Sequence, residues 1–191
     1  VGRHTVVAGM ESWRKDMESY RTKNIRVEML DADGNVTKTI SSAVKDKPLP
    51  DSSQQPFGFF AEDAFHIGER LNVTLGGRFD LIRTKNDLTY KQYAPMDSTV
   101  LWNASKDTDK SGSFVAGTVF HAAEGLDLEL TLARSFRAPT IEERYLYADL
   151  GGVLTVGNPA IDPERGTFAE AGVTLTSGGL RFNGQAYVNS L

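Results

Sequence analysis

Hydrophobic and polar residues alternate along several stretches of this chain, which is the pattern of β-strands that have one apolar and one polar face. In the segment from Leu71 to Leu81 the odd-numbered residues are mainly apolar and the even-numbered residues mainly polar. Leucines at every second position give the segment 126–136 the same pattern, and the segment 180–188 repeats it. The alternation therefore predicts a strand in each of these segments.

Each of these strands has a predicted partner across a short turn, so the pattern forms a series of β-hairpins. The partner strands cover residues 57–67, 114–121 and 168–176, and glycine-containing turns follow them at residues 68–70, 123–125 and 177–179. A leading strand covers residues 5–14. The sequence thus predicts an all-β fold, an antiparallel meander of about seven strands.

The connections between the hairpins are long, whereas those within the hairpins are short. The long connections cover residues 15–56, 85–111 and 137–166. Compact domains seldom have several loops longer than about 12–15 residues, but transmembrane β-barrels combine short periplasmic turns with long extracellular loops. The spacing therefore favours part of a transmembrane barrel, with a soluble β-sandwich that carries long insertions as the alternative. The leucine face of segment 126–136 fits both, because lipid and a sandwich core each accept it.

The first long connection contains a small hairpin of its own. Segments 25–30 and 36–40 alternate on either side of Asp31-Ala32-Asp33-Gly34-Asn35, and an Asp-Gly turn between alternating segments is a strong hairpin signal. The same residues resemble the start of a calcium-binding loop. That loop needs a glutamate at its twelfth position and flanking helices, whereas Ser42 and strand-like flanks stand here. The turn is therefore the preferred interpretation.

Composition narrows the possible functions of the chain. Of its 191 residues, 40% are hydrophobic and 24% are charged, which is typical of a folded protein. The formal net charge of -4 argues against nucleic acid as a partner, because nucleic-acid-binding surfaces are basic. The chain contains no cysteine, which excludes disulfides and thiolate metal sites within it. No apolar run predicts a transmembrane helix, and the first residues do not open a signal peptide.

No arrangement of residues predicts catalysis, a metal site or a bound cofactor. The histidines are far apart in sequence and are interpreted as wall or rim residues of the sheet; they are His4, His66 and His121. The neighbouring carboxylates of Glu62 and Asp63 point to opposite faces of a strand, so they do not form an acid–base pair. An esterase would require a hydrogen bond between Ser135 and His121, and nothing in the sequence predicts that these two residues lie close together.

The segment 126–173 carries the most specific signal. Phe-Arg-Ala-Pro follows its first strand, and then come Glu-Glu-x-Tyr, Gly-Asn-Pro, a Pro-Glu pair and a strand that ends in Glu-x-Gly. This order closely resembles the signature of the TonB-dependent outer-membrane receptors, with Ile161 in place of the usual leucine. The matching residues are Phe136, Arg137, Ala138, Pro139, Glu142, Tyr145, Gly157, Asn158, Pro159, Pro163, Glu164, Glu170 and Gly172.

Two earlier segments resemble the same family. Residues 59–63 are similar to its aromatic-x-Ala-Gln-Asp strand, with Glu62 in place of glutamine, and residues 75–80 are similar to its Gly-x-Arg-Tyr-Asp strand. In the signature itself, Arg137 and Glu164 flank a proline-rich segment, called here the excursion. This segment must leave the sheet, because proline has no N–H to donate to a neighbouring strand. We expect these two residues to pair and thereby to position the loop, because an exposed pair adds little stability.

The resemblance implies a place in the bacterial outer membrane, in a barrel of about 22 strands that an N-terminal plug domain closes. It implies transport of a ferric siderophore or a similar scarce metal complex, energised by TonB through the plug, with lipid around the barrel and no cofactor. Residues 1–191 would then be one part of the barrel, without the plug and the remaining strands. We expect such an open sheet, when isolated, to curl, pack on itself or associate with other copies.

The resemblance specifies the fold, but it leaves more than one class of ligand open. Haem receptors of the family share the Phe-Arg-Ala-Pro box, so haem uptake is an alternative. However, residues 158–161 depart from the Asn-Pro-Asn-Leu box of those receptors, and no histidine lies between residues 137 and 166. A soluble β-sandwich binding domain is the alternative from another class. The candidate ligand contacts are aromatic residues of the long loops, namely Tyr90, Tyr93, Trp102, Tyr145 and Tyr147.

Overall fold

A computed structural model of the chain describes residues 4–91, 99–150 and 152–191, and most of these residues are in antiparallel strands. The elements in chain order are β1 (His4–Ser12), β2 (Lys15–Met17), β3 (Arg21–Leu30), β4 (Val36–Asp46), β5 (Ser52–Ile67), β6 (Leu71–Asn86), β7 (Thr89–Tyr90), β8 (Val100–Trp102), β9 (Ser105–Ala123), β10 (Leu126–Arg137), α1 (Ile141–Tyr145), β11 (Tyr147–Asp149), β12 (Leu154–Val156), β13 (Glu164–Ser177) and β14 (Leu180–Ser190). No helix in this part of the chain is long and apolar enough to cross a membrane.

One large sheet dominates the fold, with the strand order β1-β5-β6-β9-β10-β13-β14, and β2 pairs with β5 beyond the end of β1. Every neighbouring pair is antiparallel, which confirms the all-β meander predicted from the alternation. Short turns join the hairpins β5–β6, β9–β10 and β13–β14 at one end of the sheet, called here the turn end. Gly178 and Gly179 both have positive φ, which is the backbone conformation that a two-residue turn needs to match the twist of its strands.

The opposite end of the sheet, called here the loop end, extends further than the sequence predicts. Strand β5 begins at Ser52, β9 at Ser105 and β13 at Glu164, and β6 ends at Asn86. The predicted loops 15–56, 85–111 and 137–166 are therefore wrong for residues 52–56, 85–86, 105–111 and 164–166. The physical reason is that both faces of these extensions are polar. Without an apolar face, the strands have no period-2 hydrophobic signal for sequence reasoning to detect.

Three small two-stranded sheets lie in the long connections: β3–β4, β7–β8 and β11–β12. The hairpin β3–β4 confirms the prediction around Asp31, and its strands extend further from the turn than expected, by residues 21–24 and 41–46. The Asp31 carboxylate accepts hydrogen bonds from the backbone N–H groups of Asp33 (3.0 Å) and Asn35 (2.8 Å), and Gly34 has positive φ. This carboxylate therefore closes the turn.

The two faces of the main sheet differ in composition and in burial. The face called apolar carries large hydrophobic side chains that remain about half exposed, including Phe59, Phe79, Leu128, Leu130 and Leu132. No second sheet of the described residues covers this face, as a β-sandwich would require. The other face, called polar, carries most of the acids of the sheet. The predicted self-association of an isolated chain stays a prediction.

The largest fully buried side chains of the described residues lie toward the loop end of the sheet. They are Tyr145, Ile141, Asn86, Thr84 and Pro50. Helix α1 contributes two of them, and strand β6 contributes two more. The best-packed part of this chain is therefore the place where the loop after β10 folds back onto the sheet.

Candidate functional site

Helix α1 is a single turn whose start is fixed by its own side chains. Pro139 ends the preceding strand, and Thr140 then caps the helix. The Thr140 hydroxyl accepts a hydrogen bond from the Glu143 N–H (3.2 Å), while the Glu143 carboxylate accepts one from the Thr140 N–H (2.8 Å). This reciprocal capping box satisfies backbone donors that a helix end leaves free.

Arg137 holds together both ends of the excursion. It donates hydrogen bonds to Glu164 (2.9 and 2.7 Å) and to Glu143 (3.0 and 2.9 Å), which confirms the predicted Arg137–Glu164 contact and adds a second acid. Hydrogen bonds from Arg137 and then from the Thr140 backbone lower the pKa of Glu143 to about 2. Arg137 also lowers the pKa of Glu164, and the two acids raise the pKa of Arg137. The exposed network positions α1 rather than adding much stability.

Arg144 fixes α1 to the polar face of the sheet. Its side chain is 5% exposed, and its Nη2 lies 2.9 and 3.0 Å from the two carboxylate oxygens of Asp109. Its Nη1 lies 3.8 Å from Asp107, on the same strand. The alternation of β9 places both acids on one face, so a single guanidinium is surrounded by two carboxylates. A charge-assisted contact of this kind is stronger than a neutral hydrogen bond.

Tyr145 completes the contact with the sheet and is 1% exposed. Its hydroxyl lies 3.0 Å from Ser105 Oγ and donates to Asp107 (3.2 Å), while Ser105 donates to Asn86 (2.6 Å). Burial raises the pKa of Tyr145, so this hydroxyl stays neutral. The ring meets Trp102 edge to face with 5.9 Å between centroids. We call this set of residues the rim cluster: Asn86, Trp102, Ser105, Asp107, Asp109, Arg144 and Tyr145.

The Gly-Asn-Pro segment packs against the back of α1. A Cβ on Gly157 would lie 2.7 Å from the Arg144 carbonyl carbon and 2.8 Å from the Tyr145 nitrogen, so only glycine fits there. The Gly157 N–H donates to the Leu146 carbonyl (2.7 Å), and the Asn158 N–H donates to the Glu143 carbonyl (2.9 Å). These bonds satisfy carbonyl groups at the end of the helix. The two distant parts of the signature therefore meet in one folded unit.

The other signature residues surround this unit or lie in the strands beside it. Gln54 donates to the Pro139 carbonyl (3.2 Å), and Lys15 pairs with Glu142 at 3.3 Å. Ala138 joins Arg137 to Pro139, while Pro159 and Pro163 lie in the return segment before β13. Phe136 belongs to the apolar face of β10. Glu170 and Gly172 lie on the polar face of β13, opposite Thr131 and Glu129.

The predicted ligand-contacting aromatics do not form one group. Tyr90 in β7 is 42% exposed, whereas Tyr145 is enclosed in the rim cluster beside the partly buried Trp102. Tyr147 in β11 is partly buried, and its N–H donates to the Pro48 carbonyl (2.8 Å). Tyr93 lies outside the residues that the structure describes.

Sequence reasoning missed Arg144 and its partners on β9. Arg144 stands inside the signature, but no sequence feature shows what it contacts. The segment Ser105-Lys106-Asp107-Thr108-Asp109 does carry a signal, because polar residues at alternate positions of a strand share one face. The shared face can be inferred only if the segment is known to be a strand. Because all its residues are polar, no alternation of apolar and polar residues identifies it as one.

The structure also separates the residues of the esterase alternative. His121 lies opposite Asp127 in the sheet and approaches its carboxylate to 2.6 Å. Ser135 lies eight residues further along β10 than Asp127, which is about 26 Å at the usual rise of a strand. A hydrogen bond between Ser135 and His121 is therefore impossible in this fold. Within the described residues, no group of three or more His, Cys, Asp or Glu could hold a metal ion.

Comparison with known proteins agrees with this architecture. Residues 2–191 match the family model described as TonB dependent receptor-like, beta-barrel. A comparison with curated protein sequences gave no match. Among solved structures, the chain is similar to the copper transporter OprC, with a TM-score of 0.64, 17% identity, and coverage of 97% of this chain and 27% of that chain.

Two further solved structures show the same fold. One is the siderophore receptor PiuA from Acinetobacter baumannii, with a TM-score of 0.59, 17% identity, and coverage of 97% of this chain and 28% of that chain. The other is a double mutant of the Serratia marcescens hemophore receptor HasR in complex with its hemophore HasA and heme, with a TM-score of 0.59, 17% identity, and coverage of 98% and 32%. The chain thus spans about a third or less of the structures that it matches.

The chain belongs to the TonB-dependent receptor β-barrel family, because the family model covers nearly its whole length. Members of this family lie in the outer membrane of bacteria and are transporters rather than enzymes. In such a barrel the apolar face of the sheet meets lipid and the polar face lines the lumen. The rim cluster therefore lies on the lumenal side of the wall, at the loop end.

Proposed function

We propose that the receptor containing this chain binds a ferric siderophore or a similar organic metal complex at its extracellular mouth and imports it with energy from TonB. The observation that carries the proposal is the fold-back of α1 onto the polar face at the loop end. Outer-membrane barrels place their short turns in the periplasm. The loop end, with the rim cluster and its aromatic side chains, would then face the outside and narrow the mouth of the lumen.

The chemistry of the loop end supports an organic complex rather than a bare metal ion. A soft ion such as Cu(I) is bound by thiolate and thioether groups, and many divalent ions are bound by imidazole. The chain has no cysteine, and His4, His66 and His121 lie near the turn end of the sheet. Two described methionines, Met17 and Met29, lie toward the loop end, but they belong to separate sheets. The loop end instead offers aromatic rings, which bury a large area of a small ligand.

The candidate ligand contacts divide into two roles under this proposal. Tyr90, Trp102 and Tyr147 would contact the ligand directly, together with Tyr93. Tyr145 already uses its hydroxyl for Ser105 and Asp107, so it would position Trp102 instead. Haem would need an iron ligand at the mouth. No histidine lies between residues 137 and 166, so Tyr145 and Tyr147 are the residues of this segment that could supply one. Tyr145 is enclosed in the rim cluster, which leaves Tyr147.

The test is a fluorescence titration of the full-length receptor in detergent with a panel of ferric siderophores, haem and Cu²⁺. We expect saturable quenching by one ferric siderophore. Its affinity should be about tenfold weaker in Trp102→Phe, because the smaller ring loses contact area and the indole N–H, and a tenfold change corresponds to about 1.4 kcal/mol. Trp13→Phe is the matched control, because Trp13 lies between β1 and β2 and outside the rim cluster. Saturation by Cu²⁺ alone, or a Soret shift with haem and no siderophore binding, would contradict the proposal.

The transport step needs its own measurement. Uptake of the radiolabelled ferric complex should occur in cells that express the receptor together with TonB. It should disappear in otherwise identical cells without TonB, while binding at the cell surface remains. Equal uptake with and without TonB would exclude an energised receptor even if the ligand binds.

A further inference from the structure

Four polar side chains form a continuous line across the lumenal wall near the turn end. His66 in β5 lies opposite Asn72 in β6, and His121 in β9 lies opposite Asp127 in β10. Asn72 and His121 are diagonal neighbours on the adjacent strands β6 and β9. The alternation of the strands places all four side chains on the polar face. We call this set the histidine relay: His66, Asn72, His121 and Asp127.

Hydrogen bonds connect the relay from one end to the other. Nδ1 of His66 bonds to Oδ1 of Asn72. Nδ2 of Asn72 lies 3.2 Å from Nε2 of His121, and Nδ1 of His121 lies 2.6 Å from Oδ1 of Asp127. The relay therefore joins four neighbouring strands through side chains, in addition to their backbone hydrogen bonds.

The carboxamide of Asn72 determines where the protons of the two histidines lie. Its oxygen can only accept a hydrogen bond, and its amino group can only donate one. Nδ1 of His66 must therefore carry a proton, whereas Nε2 of His121 must be without one. The proton of His121 lies on Nδ1 and is donated to Asp127. Every bond of the relay is thus satisfied when both histidines are neutral.

One nitrogen of the relay stays open. Nε2 of His66 forms no hydrogen bond with any residue that the structure describes, and His66 is exposed on the polar face. In the neutral relay this nitrogen has no proton, so it is an acceptor. A proton that binds there makes His66 a cation and leaves every other bond of the relay intact. The first proton thus converts Nε2 of His66 from an acceptor into a donor.

The relay has a second arrangement for the same single proton. If Nε2 of His121 carries a proton instead, it needs an acceptor, and Asn72 provides one by turning its carboxamide over. The amino group then donates to Nδ1 of His66, so the proton of His66 lies on Nε2. The positive charge moves from His66 to His121, next to Asp127, and the number of protons is unchanged. Nε2 of His66 is a donor in both singly protonated arrangements.

A second proton cannot be accommodated in the same way. With both histidines charged, Nδ1 of His66 and Nε2 of His121 would both donate toward Asn72, which has one oxygen. One N–H group would then face the amino group and lose its partner. A donor that loses its partner is costly, so the relay favours one shared proton over two. The two histidines should therefore titrate as a coupled pair.

The charged groups around the relay are mostly turned to other partners. Glu129, the next acid along β10 on the same face, lies 3.3 Å from a threonine hydroxyl of β13. The described part of β1 begins at His4, whose ring is on the opposite face beside Asp63. The other charged residues near the relay are Glu62 in β5 and Glu69, Arg70 and Glu124 in the turns. Among the described residues, Asp127 is the acid that pairs with His121 and compensates a charge there.

We propose that the histidine relay is a proton-sensitive switch in the lumenal wall. It takes up one proton that His66 and His121 share, and this uptake reverses the hydrogen bonding of the lumen-facing Nε2 of His66. Histidines change charge between about pH 5 and 8, so the switch operates in that range. A group that faces His66 in the lumen meets an acceptor when the relay is neutral and a donor once the proton is bound.

The experiment is ¹⁵N nuclear magnetic resonance of the full-length receptor in lipid bilayers, with ¹⁵N in the histidine rings. The chemical shift of each ring nitrogen shows whether it carries a proton, and His66→Gln and His121→Gln assign the signals. In the neutral wild type we expect both histidines to carry their proton on Nδ1. Nε2 of His66 should gain a proton in the first step. The second step should need about a tenfold higher proton concentration than in Asn72→Leu, the effect of one unsatisfied donor.

Two further variants separate the relay from a general effect on folding. Asn72→Asp keeps the shape of the side chain but offers an oxygen to each histidine, so both protons should bind without the tenfold separation. Asn183→Leu is the matched control for Asn72→Leu, because Asn183 lies on the same face and donates to Thr174 (2.9 Å) rather than to a histidine. It should titrate like the wild type. The signals of His4, on the opposite face, should be the same in all variants.

Several outcomes would overturn the shared proton. The wild type and Asn72→Leu would then take up the second proton equally readily, or Asn72→Asp would keep the separation. A proton on Nε2 of His121 in the neutral wild type would also overturn it, as would a change in Asn183→Leu equal to that in Asn72→Leu. Fluorescence quenching by the siderophore reports on the loop end and should be unchanged in Asn72→Leu. The relay can therefore fail while the ligand mouth stands, and the reverse.

Discussion

Arg144 in α1 and Asp109 in β9 form a nearly enclosed ion pair, with one guanidinium nitrogen 2.9 and 3.0 Å from the two carboxylate oxygens. The side chains are 5% and 11% exposed. This contact joins α1, which follows β10, to β9, the other strand of the β9–β10 hairpin. It fixes the short helix over the polar face and thereby determines the shape of the loop end.

Replacing Arg144 with methionine should release α1 from the sheet. The substitution keeps much of the side-chain volume but leaves the Asp109 carboxylate without its partner, and breaking a buried pair costs about 3–5 kcal/mol. We expect local opening rather than loss of the barrel. Amide hydrogen exchange of residues 138–146 in the full-length receptor should accelerate by roughly a hundredfold to several thousandfold. The control is Arg26→Met, which removes an exposed partner of Glu28, and unchanged exchange in Arg144→Met would contradict the assigned contact.

Gly157→Ala should displace the Gly-Asn-Pro segment. The added methyl group would meet backbone atoms of Arg144 and Tyr145 at 2.7–2.8 Å, and backbone cannot rotate away as a side chain can. The matched control is Gly152→Ala, because a Cβ at Gly152 meets nothing within 4 Å. Limited proteolysis of the full-length receptor should cleave the Gly157 variant faster in residues 146–163. Equal cleavage of the two variants would argue against close packing at Gly157.

Tyr145→Phe should weaken the rim cluster only moderately. The ring and its contact with Trp102 remain, whereas the hydroxyl contacts with Ser105 and Asp107 are lost. Loss of such hydrogen bonds costs about 1 kcal/mol, while Tyr145→Ala should cost about 3–5 kcal/mol, as truncation of large buried aromatics does. Hydrogen exchange of α1 measures both effects. A Phe variant as unstable as the Ala variant would show that the ring contributes little.

The capping network predicts a specific pH dependence. The pKa of Glu143 in the folded protein, about 2, lies below its ordinary value of 4.5. Its contribution to the stability of α1 is therefore fully present above about pH 4.5 and is lost as the pH falls toward about 2. Trp102 fluorescence should follow this loss in the full-length receptor, with Trp13 and any tryptophans elsewhere replaced by phenylalanine. In Glu143→Gln the transition in this window should shrink, and an unchanged transition would assign it to another group.

The hairpin turns and the apolar faces of the strands could be read from the sequence, because lipid-facing strands keep strict alternation and glycine marks the turns. Residues 57–67 and 71–81 are examples, and the structure confirms both strands. The signature around Phe136 predicted the family. It also predicted the Arg137–Glu164 pair, since those residues flank the excursion.

The loop end could not be predicted to the same degree. Residues 105–111 extend β9 with polar side chains on both faces, so no hydrophobic period marks them as a strand. Arg144 and Asp109 are 35 residues apart, and only the register of β9 reveals that Asp109 faces α1. The reason why Gly157 must be glycine is likewise a tertiary one, because the clash is with the backbone of α1.

The most direct test of the account is the orientation of β10 in the membrane. Because the chain has no cysteine, single cysteines at Leu128, Glu129, Leu130 and Thr131 can carry nitroxide labels in the full-length receptor, with any cysteines elsewhere replaced by serine. The account predicts strict alternation in reconstituted membranes. Labels at 128 and 130 should be accessible to oxygen in lipid, and labels at 129 and 131 to a water-soluble nickel reagent. Equal accessibility at all four positions, or alternation in the opposite phase, would contradict a barrel wall with its leucine face in lipid.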